Sequence, residues 1–225
     1  YMNLGTSSPV NVNVLTSNLF VECWVYPLTT SQRHFIAATG PSNKYWVFQI
    51  LSGGSTPNIY LNFYPNGSGG GNFGNTAPLN QWTHLAFSWA LGPTSNTATG
   101  FVNGVQSFQQ TTSFGIFFSP STNTYIGCNS GAIGMNTYLR DLRVVQGGVV
   151  PTASFTPAAA PFSYALPSYV TGSGSTVFTL LGQFITYNPS GKYGSSIVLL
   201  NPKVGGSNVA NTTVQWTSTL TSNAM

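Results

Sequence analysis

Glu22 and Asp141 are the only two acidic side chains in the 225 residues, and they are accompanied by two histidines, His34 and His84, and two cysteines, Cys23 and Cys128. Glycoside hydrolysis by the usual route needs a general acid and a second carboxylate held close together, and calcium cages draw on several carboxylate oxygens. A chain with one acid in each of two distant runs can barely supply either. Zinc needs Cys and His at ligand spacing, and these four residues have none. His84 has no Ser/His/Asp or Cys/His set around it, so a structural imidazole bonded to a neighbouring strand or loop is the preferred reading. His34, beside Arg33, reads as a solvated loop residue. Cys23 and Cys128 permit one disulfide or two buried thiols. The second is preferred, since free cysteine is among the most buried residue types. No metal and no cofactor is expected.

Binding chemistry is better represented than acid–base chemistry. The row Tyr60, Asn62 and Tyr64, followed by Asn66, could offer flat rings to the apolar faces of a sugar and amides to its hydroxyls. The plainer reading of such a row is the Tyr and Asn that any sandwich strand displays. Asn66-Gly67-Ser68 and Asn211-Thr212-Thr213 are N-glycosylation sequons, a triplet that recurs by chance in a chain rich in Asn, Ser and Thr.

The elements that must position these residues have a hydrophobic period of two. Val21, Cys23 and Val25 alternate with Glu22, Trp24 and Tyr26; Ile59, Leu61 and Phe63 with Tyr60, Asn62 and Tyr64; Leu85, Phe87 and Trp89 with His84, Ala86 and Ser88. Such runs predict half-buried strands. Similar runs occupy Lys44 to Ile50, Gly100 to Phe108 and Tyr138 to Val145. Asn103-Gly104 predicts a tight hairpin, because a type I′ turn needs φ > 0 at both central positions. The glycine-rich run Asn66 to Gly71 reads as a mobile loop. With no 3.6-residue stripe anywhere, the chain is predicted to be all-β, a sandwich of antiparallel sheets.

Composition agrees, with 14% aromatic residues and only 4% charged ones. Disordered segments show the opposite balance. The surface must therefore be covered by Ser, Thr, Asn, Gln and Gly, which suits assembly, glycans or a crowded lattice. The net charge of +4 comes from six scattered cations, Arg33, Lys44, Arg140, Arg143, Lys192 and Lys203. Without a basic run or a basic aromatic platform, it predicts no nucleic-acid partner. No apolar stretch approaches the roughly 20 residues of a membrane helix, so membrane insertion is not expected. The chain opens on Tyr1 ahead of Met2, as expected of a piece of something longer.

Five blocks taken in order carry a family resemblance: Phe20-Val21-Glu22-Cys23-Trp24-Val25-Tyr26-Pro27, Trp82-Thr83-His84-Leu85-Ala86-Phe87-Ser88-Trp89, Gly100-Phe101-Val102-Asn103-Gly104, Tyr125-Ile126-Gly127 and Leu139-Arg140-Asp141-Leu142-Arg143-Val144-Val145. Over residues 1–163 they resemble a laminin G-like, concanavalin A-like lectin/glucanase domain. Asp141 to Gly148, followed by Pro151 and Phe155-Thr156-Pro157, is similar to the version carried in tandem on virion proteins of bacteriophages and large DNA viruses, including algal viruses. The resemblance implies a jelly-roll of two antiparallel sheets that binds, where it binds at all, at a concave face or rim loops. Family glucanases carry a Glu-x-Asp-x-x-Glu strand, and no strand here has two acids. Where relatives use rim-loop Asp for calcium, this chain has Asn, Ser or Gly. The resemblance also makes the strands of Glu22 and Arg143 neighbours, so a cross-strand ion pair is expected.

Residues 164–225 are similar in part to the opening of such a domain, through Val177 to Gly182 and Gly191 to Asn201. Either they start a second repeat or they fold back to complete the first sandwich; the second is preferred, because an unpaired half-repeat would expose strand edges. The expected function is a non-enzymatic structural module of a virion, capsid-associated or on its surface, working through contacts with other capsid proteins or copies of itself. A carbohydrate-binding adhesin for a host cell wall, virion-borne or extracellular, is the alternative. A glycosidase or lyase is the least favoured.

Overall fold

A computed structural model describes residues 2–3, 17–29, 34–39, 46–52, 57–63, 70–112, 124–129, 133–134, 137–159, 167–173, 175–186, 203–204, 207–208 and 215–216. Every regular element among them is a strand: β1 (Met2–Asn3), β2 (Leu19–Pro27), β3 (His34–Thr39), β4 (Trp46–Ser52), β5 (Pro57–Phe63), β6 (Gly70–Thr76), β7 (Thr83–Ala90), β8 (Asn96–Val102), β9 (Val105–Thr112), β10 (Thr124–Ile126), β11 (Cys128–Asn129), β12 (Ile133–Gly134), β13 (Thr137–Gln146), β14 (Ser175–Thr186), β15 (Lys203–Val204), β16 (Ser207–Asn208) and β17 (Gln215–Trp216). They form a jelly-roll sandwich of antiparallel sheets. One sheet has the order β17-β1-β10-β3-β4-β5-β6 and the other β16-β15-β14-β13-β2-β7-β8-β9, with β11 and β12 paired as a separate ribbon.

The alternation read in the sequence sets the inner layer. Leu19, Val21, Cys23 and Val25 of β2 face the same way as their register partners Trp89, Phe87, Leu85 and Thr83 of β7, and all are buried. Phe48 and Ile50 of β4 and Ile126 of β10 are buried in the other sheet. Removing this much apolar side chain from water is the main stabilising term.

The expectation of half-buried strands fails for β2 and β7, where the second face is buried as well. Phe20 and Ala86 lie on that face, and they form a second cluster with Phe101, Val145, Val150 and Val170, packed by Phe155 and Tyr169. A strap made of residues 147–159 and 167–173 covers it. Ser88 Oγ donates to Pro151 O at 2.5 Å, Gln109 Nε2 to Thr152 O at 3.0 Å and Gln106 N to Ser154 Oγ at 2.9 Å. Phe155 N donates to Gly104 O at 2.9 Å, and Val149 bridges to Thr171. Asn18 pins the start of the strap, donating from Nδ2 to Gly148 O at 2.6 Å while its Oδ1 accepts from Leu91 N at 2.7 Å. Where the strap lies, the second face of the sheet is covered too, and polar groups between sheet and strap need partners there.

Two backbone features fix what reaches that layer. Asn103 and Gly104 have φ of 51° and 75°, the two left-handed positions of the predicted hairpin turn between β8 and β9. In β13, Asp141 has φ of 54° and marks a bulge. Arg140 pairs with Trp24, and the next paired residue, Arg143, meets Glu22, so two residues on β13, Asp141 and Leu142, stand against one on β2, Cys23. A bulge inserts one extra residue and reverses the parity of the strand. Both Arg140 and Arg143 therefore lie on the strap side, while Leu139, Leu142 and Val144 are buried.

Glycines 70 and 71, read as part of a mobile loop, begin β6; the remainder of that run, 66–69, lies outside the described residues. His34, read as a loop residue, is the first residue of β3, opposite Ile50 of β4.

Candidate functional site

Three strands and the strap bring four polar side chains together between sheet and strap. Glu22 sits on β2, His84 on β7, Arg143 on β13 and Tyr169 on the strap. Glu22 Oε1 accepts from Arg143 Nε at 2.7 Å and from its Nη2. Oε2 lies 3.0 Å from His84 Nε2 and accepts the Tyr169 hydroxyl. Arg143 Nη2 also donates to Tyr169 Oη at 3.2 Å, which closes the network. The side chains of Glu22, His84 and Arg143 are at most 1% exposed. Charge-assisted bonds of this kind are the strong ones, and a buried carboxylate needs them.

Chemically, this carboxylate is occupied. Both oxygens are bonded within the fold, and the ring of Phe155 lies 4.2 Å from that of Tyr169 and 6.1 Å from His84, walling the cluster off. Burial, and then the charge and hydrogen bond of Glu22, push the Tyr169 phenol well above its ordinary value. Burial first and Glu22 second do the same to the Cys23 thiol. The expected cross-strand pair of Glu22 with Arg143 is present, and so is the expected bond from His84 to a neighbouring strand. Sequence reasoning missed Tyr169, the fourth member, which lies 147 residues from Glu22.

The second carboxylate, Asp141, is also buried, but its Oδ2 faces Arg140 Nε at 3.3 Å as an ion pair without a hydrogen bond. Arg140 lays its guanidinium over Trp82, 4.9 Å from the ring centroid, and beside Trp24 at 5.9 Å. Tyr26 packs against Trp82 at 5.5 Å and Tyr138 at 5.7 Å. All five of these side chains are half-buried, on the part of the sheet face beyond the strap. The sequence did not single out this group as a unit, because its members come from β2, β13 and the residue just before β7, and the Asp141 bulge decides which way Arg140 faces.

Of the residues singled out for sugar binding, Tyr60 and Asn62 lie two apart on β5, at register positions opposite Gln49 and Val47 of β4. Tyr64 and Asn66 lie outside the described residues, as does the Asn211 sequon. Cys23 is a free, buried thiol, so the Cys23–Cys128 disulfide left open above is not made. Among the described residues no group of three or more His, Cys, Asp or Glu could hold a metal ion.

The profile of the Laminin_G_3 family, of the concanavalin A-like lectin/glucanases superfamily, matches residues 4–151. Similar solved structures include the native heptameric SAP-like pentraxin from Limulus polyphemus, at 18% identity and TM-score 0.43, covering 56% of this chain and 63% of that one. Domain 4 of AbnA, an extracellular GH43 arabinanase from Geobacillus stearothermophilus in complex with arabinotriose, is 21% identical with TM-score 0.42, covering 58% and 61%. A botulinum neurotoxin type C structure, described for its interaction with two ganglioside molecules, is 15% identical with TM-score 0.41, covering 59% and 33%. The chain thus spans less than two thirds of each of these. No curated protein matches it.

Proposed function

The chain belongs to the concanavalin A-like lectin/glucanases superfamily, and we propose that within it the chain is a non-enzymatic structural module of a virion, working through contacts with neighbouring proteins. One observation carries this reading. Both carboxylates of the chain are buried in pairs internal to the fold, Glu22 with Arg143, His84 and Tyr169, and Asp141 with Arg140. A general acid or nucleophile must reach its substrate, and neither is placed to do so. What is left for work is a surface almost without ions. The virion setting is supported by the similarity of Asp141 to Pro157 to the version found on viral particles. In this reading residues 164–225 belong to the same unit, since β14 pairs along β13 from Thr137 to Gln146 and Tyr169 sits on Glu22.

Cryo-electron microscopy of the particle that carries the chain tests the proposal. The expected result is a chain seated in the shell with an interface above about 1,000 Å². A chain absent from purified particles overturns it.

A second reading, a carbohydrate-binding adhesin, is favoured by one feature besides the superfamily. Gln49, opposite Tyr60 in the register, is buried with its Oε1 unbonded among the described residues. A sugar hydroxyl is one group that could satisfy such an acceptor. A glycan array signal lost in Tyr60→Ala and Tyr64→Ala supports this reading, and silence across wall polysaccharides removes it.

A further inference from the structure

The strap covers only part of the outer face of the larger sheet. Over Phe20 and Glu22 the face is sealed by Phe155, Tyr169 and Val170. Further along β2 and β13, and just before β7, lie Tyr26, Trp24, Tyr138, Arg140 and Trp82, all half-buried. Tyr, Trp and Arg are the residue types that dominate binding hot spots, since they combine large area with directional polar groups. Here they form one group, with Arg140 over Trp82 at 4.9 Å and Tyr26 between Trp82 and Tyr138.

Arg140 specifies what the group fits. Its side chain is 34% exposed, and Asp141 approaches only its Nε, at 3.3 Å. Among the described residues no acceptor stands at its two Nη groups. A guanidinium fixed against aromatic rings with one edge open is suited to a carboxylate, which it can grip through two parallel bonds. Residues 1–225 of a second copy offer no exposed side-chain carboxylate, because the two they hold, Glu22 and Asp141, are both buried. Two copies would also each bring a net charge of +4. A pyranose is a poorer match, since Tyr26 tilts at 58° to Trp82 and 75° to Tyr138 and the guanidinium lies over the Trp82 ring, leaving no flat shelf.

We propose that Tyr26, Trp24, Trp82, Tyr138 and Arg140 form a docking surface for a different protein chain that presents a carboxylate to Arg140. The inference rests on the contact reading above and names the partner's chemistry. It makes the contact one with a surface other than residues 1–225 of a second copy.

The test titrates the full chain with short poly-L-glutamate and follows the emission of its tryptophans. Binding is expected to weaken about tenfold or more in Arg140→Gln and in Trp82→Ala, and by less than about twofold in the charge control Lys203→Gln. Arg140→Lys keeps the charge and the aromatic stack but loses the two-bond grip, so it is expected to fall between wild type and Arg140→Gln, with an unchanged unfolding midpoint. No binding by the wild type, or equal losses in Arg140→Gln and Lys203→Gln, overturns the proposal. So does a dimer, or a response to neutral dextran, that Arg140→Gln abolishes. Failure here with the chain still seated in the particle removes this surface alone; absence from the particle removes the contact reading itself.

Discussion

Tyr169 donates its hydroxyl to Glu22 across 147 residues of sequence, and so ties the strap to the charge at the centre of the larger sheet. Its acceptor, Glu22, is fully buried, so losing the bond leaves a carboxylate oxygen with one donor fewer. Tyr169→Phe is expected to lower the free energy of unfolding by about 1–3 kcal/mol, read from denaturant melts with an unchanged slope.

The same bond gives stability a pH dependence on the alkaline side. The phenol of Tyr169 is pushed up in the folded state, by burial first and by Glu22 second, so folding favours the protonated form. The contribution is fully present below the ordinary phenol pKa of about 10 and declines as pH rises above it. Chemical denaturation between pH 8 and 11 is expected to show this fall in the wild type and a shallower one in Tyr169→Phe. An identical slope in both would assign the fall to other groups.

Arg143 is the counter-charge for Glu22. Arg143→Met leaves Glu22 buried with His84 and Tyr169 only, at an expected cost of about 3–5 kcal/mol. Paired with Glu22→Leu, the double variant is expected to lose less than the sum of the two single losses, because it removes both charges together.

The turn at Asn103-Gly104 separates two kinds of glycine requirement. Gly104 has φ of 75°, and a Cβ there would stand 2.1 Å from Phe155 O and 2.6 Å from Pro157 Cδ, so the strap would have to lift. Gly104→Ala is expected to cost well over about 1 kcal/mol. Asn103→Gly keeps the turn and loses only the bond from His84 N to Asn103 Oδ1, at 2.9 Å, so about 1 kcal/mol is expected. Thermal melts of the two variants give the order directly.

Cys23 is a free thiol buried in the inner layer, and both burial and the neighbouring Glu22 push its pKa up. Thiolate is the reactive form, so alkylation of Cys23 by iodoacetamide in the native chain is expected only at the rate of unfolding. Mass spectrometry of the native and urea-unfolded chain checks this.

The strands, the hairpin turn and the pairing of Glu22 with Arg143 were legible in the sequence because each depends on local alternation, a turn dipeptide or neighbouring family strands. Burial on both faces of β2 was not, since alternation reports one dry face and Phe20 and Ala86 are covered by residues more than sixty positions later. The strap has no regular period of its own to read. Tyr169 sits beyond the span of the resemblance, so nothing local linked it to Glu22. The direction of Arg140 depended on one left-handed residue, Asp141. Its only trace in the sequence is that Leu139 and Leu142, both apolar and both buried, stand three apart in a strand that should alternate by two.

Glu22→Gln decides most directly whether the carboxylates serve the fold or a reaction. Unfolding free energy and release of reducing sugar from wall polysaccharides are measured on the wild type and the variant together. The expected result is no turnover in either, with the variant less stable by about 3 kcal/mol or more as Arg143 loses its counter-charge. Turnover by the wild type that disappears in Glu22→Gln at undiminished stability would contradict it.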